Sequence, residues 1–114
     1  FLIKNFLEKH KVPYQSEVVF DNLIGINGGF LRYDFGIYSL DNKIVALIEF
    51  DGEQHYQEAG SYFNKDGVVQ IHDDIKNKFA ENNNIPLLRI PYYEKDKIEN
   101  IVNSFLQENI PGIV

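Results

Sequence analysis

Cysteine is missing from all 114 residues, which excludes disulfides and thiolate zinc sites. No apolar run approaches the roughly 20 residues of a membrane-spanning helix, and no signal-peptide pattern opens the chain. A membrane partner is therefore not expected, and a cytoplasmic home fits. Basic residues are scarce, 11 against 17 acidic ones, for a net charge of −6. Nucleic-acid binders usually carry the opposite imbalance, so bulk attraction to phosphate is not expected here. An acidic, metal-using core remains compatible with that balance. Methionine is absent too, even at position 1, and "FLIKNFLEKH" starts at helical spacing with no capping residue before it. That opening reads as a fragment of a longer protein.

The residues present are those of a globular domain. Apolar residues make up 44% and aromatics 14%, enough for a packed core, and the length suits one domain spanning 1–114. Residues 1–10 read as an amphipathic helix and 12–20 as a strand. The stretch "DNLIGINGGF" (21–30) reads as a loop. In "LRYDFGIYS" (31–39), alternation puts Leu31, Tyr33, Phe35 and Ile37 on one face, with Arg32, Asp34 and Gly36 on the other. "LDNK" (40–43) signals a tight turn, and "IVALIEFD" (44–51) is a strand apolar on both faces until Glu49. Residues 52–68 are irregular. The spacing Ile71, Ile75, Phe79 predicts a helix over about 69–83, followed by a short strand in "IPLLRIPY" (85–92). A last helix begins with Asp96 and Glu99 in capping-box positions and buries Ile98, Ile101, Val102, Phe105 and Leu106. A helix between strands 44–51 and 85–90 suits a parallel crossover, giving an α/β fold with a small mixed sheet flanked by helices.

The acid at the end of the apolar strand demands a reason. If Asp41-Asn42 centres a two-residue hairpin, Asp34 faces Glu49 and Arg32 faces Asp51. Opposed side chains then sit with Cβ atoms roughly 5 Å apart, where like charges are destabilising. Either one carboxyl holds a proton, or a cation sits between them. Hard oxygen ligands from adjacent strands suit magnesium or manganese, which would polarise a phosphodiester and acidify a bound water. The structural alternative is that Arg32 simply neutralises Asp51, or that another register separates Asp34 from Glu49. His55 follows the turn at Gly52 and has a pKa suited to a general base, or is an ordinary surface histidine. In "HDDIKNK" (72–78), Asp73 and Lys76 lie one helical turn apart, away from the Ile71–Ile75–Phe79 stripe, as on an ordinary solvated face. Arg89, in an otherwise apolar strand, needs a carboxylate or phosphate partner.

"YDFGI", "IEFDGEQHY", "DDIK" and "IPLLRIPY", in that order, resemble the PD-(D/E)XK nuclease superfamily. The resemblance is to the branch holding the very-short-patch repair endonuclease and the phage homing endonucleases with an EDxHD active site, and covers roughly residues 1–106. It implies a restriction-endonuclease-like core that hydrolyses double-stranded DNA with a divalent metal, magnesium or manganese. On that resemblance Asp34 is a metal ligand and Phe50 offers its backbone carbonyl. His55 is the general base or acid, and Asp73 is the closing Asp on the following helix. Glu49 and Asp51 flank that centre, with Glu49 at the (D/E) of the signature. In the favoured reading Glu49 or Asp51 also helps hold the metal, directly or through water, and Asp73 orients His55 or supports the metal. Lys76 and Arg89 contact the scissile phosphate or fix the carboxylates. Two departures stand out: the signature lysine is replaced by Asp51, and the first Glu of the EDxHD set falls before Phe1, leaving Glu8 and Glu17 as weaker substitutes. The expectation is therefore the catalytic domain of a homing-type DNA endonuclease, with target recognition elsewhere in the full chain and a homodimer as one possible assembly. The alternative is a non-catalytic nuclease-fold module for binding or assembly. Mismatch nicking ranks lower, because that kind of relative carries a cysteine-rich zinc site.

Overall fold

The computed structural model describes residues 2–52 and 67–113. Helix α1 (Leu2–Lys9) carries Ile3, Phe6 and Leu7 at spacings of three and four, and all three are buried. Strands β1 (Tyr14–Ile24), β2 (Phe30–Tyr38) and β3 (Ile44–Asp51) follow. Then come α2 (Val68–Asn82), β4 (Leu87–Pro91), a 3₁₀ helix (Tyr92–Lys97) and α3 (Ile98–Asn109). The strands form one mixed sheet in the order β1-β2-β3-β4. Its first two pairings are antiparallel, and β3 runs parallel to β4. The parallel pair is bridged by the segment containing α2, as the sequence predicts, because parallel neighbours need a long crossover. No described helix is long and apolar enough to cross a membrane.

β3 reads apolar on both faces because both faces are covered. Ala46 and Ile48 join a core with α1, α3 and Ile90, whereas Leu47 joins a second core with Ala80, Ile75 and Phe79 of α2. Buried apolar area of this kind stabilises by about 25 cal/mol per Å². Gly36 lies over Leu47 in the register, and a Cβ there would meet Val18 Cγ2 at 2.7 Å. Glycine is needed for that approach.

Several expectations change. Leu31 and Tyr33 pack in the α2-side core, but Phe35 and Ile37 pack in the α1/α3-side core. The alternation of β2 therefore reverses at Asp34. β1 reverses at the paired level: Tyr14 packs on one core, Val18 belongs to the other, and Glu17 between them has φ 56°. The β2–β3 turn has three residues rather than two. The Asn42 N–H reaches the Ser39 carbonyl (3.0 Å), the Ser39 N–H reaches the Lys43 carbonyl (2.8 Å), and Asn42 takes φ 65°. A bulge at Val45 then restores the register, so Phe35 still pairs with Ile48. β1 continues to Ile24, so its loop to β2 is shorter than expected.

The helices also differ in detail. On α2 the buried residue is Ala80, and Ile71 of the expected stripe is 41% exposed. The helix is turned so that the flank carrying Asp73 and Lys76 faces inward. At α3 no side chain caps the N-terminus, because the 3₁₀ helix runs directly into it and the Ile98 N–H bonds to the Lys95 carbonyl. The capping box read from Asp96 and Glu99 does not form.

Candidate active site

The β2–β3 pairing ends at Phe35↔Ile48, and beyond it two carboxylates take over from the backbone. Glu49 Oε1 accepts the Asp34 N–H (2.8 Å), and Asp34 Oδ2 accepts the Phe50 N–H (2.7 Å). Each acid thus satisfies a main-chain donor on the opposite strand, which is how two such groups tolerate each other at the end of a ladder. Glu49 is only 3% exposed and Asp51 only 6%.

Their counter-charges come from outside the hairpin. Lys76 Nζ, delivered by α2, lies 2.6 Å from Glu49 Oε2. Arg89, directly beside Glu49 in the parallel β3–β4 register, places Nη1 2.8 Å from Asp51 Oδ1. The same nitrogen is 3.5 Å from Asp73 Oδ1 and 3.7 Å from Glu49 Oε2. Arg89 Nε donates to Asn77 Oδ1 (2.7 Å) and Nη2 to the Asp73 carbonyl (3.3 Å). The five-donor fork of arginine suits this branching, which a lysine cannot reproduce.

Burial pushes the Glu49 carboxyl above its ordinary range; the Lys76 ammonium opposes that rise, and the charge of Asp34 adds to it. Tyr33, fully buried, supports the arrangement from beneath. Its hydroxyl donates to the Lys76 carbonyl (2.8 Å), and its ring centroid lies 5.7 Å from Lys76 Nζ. Burial, with help from the charge of Glu49, raises the phenol well above its ordinary value.

Of the residues singled out from the sequence, Asp34, Glu49, Asp51, Asp73, Lys76 and Arg89 come together at this end of the sheet. Phe50 contributes its N–H to Asp34. His55 and Glu53 lie outside the described residues. Asp51 is neutralised by Arg89 rather than Arg32, whose guanidinium has no hydrogen-bond or ion-pair partner among the described residues. Glu8 accepts the Tyr14 hydroxyl (2.8 Å), and Glu17 is exposed. The helix surface pair expected from the charge run exists one step along, between Asp74 and Lys78 (3.1 Å). Asp73 is therefore the inward acid of the "DD" dipeptide. Sequence reasoning missed Tyr33 and Asn77. Asn77 was findable, since it stands four residues after Asp73 and shares its face.

The donor chemistry here, carboxylate oxygens from two strands, is what magnesium or manganese prefers. Among the described residues, however, no three His, Asp or Glu side chains converge as a metal-holding group. Their oxygens face the Lys76 ammonium, the Arg89 guanidinium and main-chain N–H groups. Comparison of the chain with protein-family models, with curated proteins and with solved structures gives no significant match.

Proposed function

We propose that this domain is a metal-dependent DNA endonuclease on a restriction-endonuclease-like core, with its centre at the end of the β2–β3 ladder. The observation that carries the reading is the buried Glu49 carboxylate, set beside Asp34 and against the ammonium of Lys76. Burial of that group is costly compared with an apolar residue of similar volume, such as the strand carries up to that point. The lysine missing from the strand signature is replaced in space by Lys76 from α2.

In this reading Asp34 and the Phe50 carbonyl are the residues to hold a divalent ion, with Asp51 close by. When bound, that ion supplies polarisation of the phosphodiester and a more acidic water. Lys76 places positive charge where a pentavalent phosphorus centre gathers negative charge. Arg89 holds Asp51 and fixes the α2 flank through Asp73 and Asn77, keeping the carboxylates aimed. His55, four residues beyond Asp51, takes the proton from the attacking water.

A non-catalytic binding module is the second reading. It is favoured by the same ion pairs, because Lys76 and Arg89 already neutralise buried acid, and by the absence of a converging ligand group among the described residues. A plasmid-nicking assay separates the two. Wild-type protein should convert supercoiled to open-circular DNA with magnesium and not with EDTA. Asp34→Ala, His55→Ala and Lys76→Met should each lose at least about a hundredfold in rate. Cutting that persists in all three variants refutes the assigned centre, and no cutting by any form of the protein favours the module.

A further inference from the structure

Beside the acidic centre, an open groove of about 320 Å³ runs between β2 and α2. It is lined by Phe30, Leu31, Arg32, Val69, His72, Asp73 and Lys76. Two of these residues, Asp73 and Lys76, also belong to the carboxylate cluster, so groove and centre are continuous. His72 of that lining also pins the β1–β2 loop to α2: its Nε2 accepts the Ile26 N–H (3.2 Å). The pin works because Gly25 has no Cβ; one placed there would meet His72 Nε2 at 2.7 Å.

Arg32 is the unexplained member. The acid expected to neutralise it, Asp51, is taken by Arg89, and the Arg32 guanidinium is left exposed without a partner among the described residues. A chain of net charge −6 keeps an exposed, uncompensated guanidinium on a residue that lines the groove, and Phe30 of the same lining is 56% exposed. Arginine recognises phosphate through paired N–H donors, and an apolar rim suits a sugar next to it.

We infer that this groove is a subsite for one phosphodiester of a nucleic-acid backbone, held by Arg32 one step from the Asp34–Glu49 centre. The inference rests on the DNA-cutting reading, and it makes Arg32 a substrate-binding residue that takes no part in the bond-breaking step. Local positive charge in the groove would offset the acidity of the whole, so that duplex DNA docks at this place and not by bulk attraction.

The test is duplex oligonucleotide binding by fluorescence anisotropy in EDTA across a salt series, with plasmid nicking measured alongside. Arg32→Ala should weaken binding by about tenfold at low salt and lower the slope of log affinity against log salt by about 0.9. Arg32→Lys should restore the slope, because it restores the charge. Lys4→Ala, an exposed cation on α1, should change neither. Unaltered affinity and slope in Arg32→Ala, or an equal loss in Lys4→Ala, overturns the inference even if nicking proceeds. A wild type that binds no duplex overturns it as well. If nicking is absent but Arg32→Ala still shows the loss, the subsite stands and the endonuclease reading falls. Inorganic phosphate that raises the melting temperature of wild type as much as duplex does, through Arg32, makes this a free-phosphate site and overturns the backbone assignment. Far-UV circular dichroism melts of each variant confirm that the exposed substitution leaves the fold intact.

Discussion

Lys76→Met keeps the volume of the side chain and removes only its ammonium, which isolates the electrostatics of the centre. Nζ lies 2.6 Å from Glu49 Oε2, and the two side chains are 13% and 4% exposed. Deleting one partner of a buried pair costs about 3–5 kcal/mol, because the survivor stays charged and desolvated. Glu49 keeps the Asp34 N–H, and Arg89 stays 3.7 Å away, so the lower end of that range applies. A loss of about 3 kcal/mol in a domain this size lowers Tm by roughly 12 °C.

The pH dependence makes the test specific. Burial already holds the Glu49 carboxyl above its ordinary range, and Lys76 is the chief influence pulling it back. Without Lys76 the folded protein therefore binds a proton at Glu49 over a wider range than the unfolded chain does. Stability of the variant then falls as pH rises from the ordinary carboxylate range through the raised folded value, and the deficit is complete above it. Unfolding in urea, followed by tyrosine fluorescence because the chain lacks Trp, should show a larger loss at about pH 8 than at about pH 5. Glu49→Gln combined with Lys76→Met should recover about 2 kcal/mol relative to the sum of the single changes. A loss below about 1 kcal/mol that is the same at both pH values, with no recovery in the pair, refutes the assignment of Lys76 as the counter-charge of Glu49.

Arg89→Lys should destabilise by about 3 kcal/mol despite keeping the charge, since one ammonium cannot serve Asp51, Asn77 and the Asp73 carbonyl together; thermal melts that match wild type would contradict this. Tyr33 has a folded pKa raised above the unfolded value, so its contribution to stability is present below about pH 10 and is lost as pH rises beyond that. Ultraviolet titration should find one of the seven tyrosines ionising only as the protein unfolds, and Tyr33→Phe should abolish that step. Reversible ionisation of all seven in the native protein would count against the burial argument.

The sheet was legible where one period governs the sequence. β3 announced its double burial, and the crossover to β4 followed from the helix between them. The Asp34–Glu49 level was reached through the wrong turn: Asp41-Asn42 suggested a two-residue loop, while the structure uses three residues and a compensating bulge at Val45. Neither feature has a side-chain signature, because Asn42 at positive φ suits both loops. The reversal at Asp34 was invisible for a related reason. "LRYDFGI" alternates without a break, and only the packing of Tyr33 under α2, with Phe35 against Tyr14, shows that the faces change. On α2, apolarity pointed to Ile71, yet an ion pair to a buried carboxylate outweighs one aliphatic contact in fixing the helix rotation. Lys76 is inside because Glu49 is.

That dependence explains why acid follows "KIVAL" at all. The cations that pair with Glu49 and Asp51 come from outside their own hairpin. Glu49 finds Lys76 across the segment that joins β3 to α2, and Asp51 finds Arg89 on the neighbouring parallel strand. The β2–β3 hairpin by itself holds neither of those cations, and its acids repel Asp34. The two cations reach them with α2 docked and β4 paired in register, Glu49 beside Arg89. The charged centre is therefore a condition on the crossover as well as a product of it. A slip of β4 by one residue would turn Arg89 to the α1/α3 side and take its guanidinium from the buried Asp51. Such a penalty specifies one register among the several that an apolar "IPLLRIPY" would otherwise accept, and it does so with the same residues proposed to perform the chemistry.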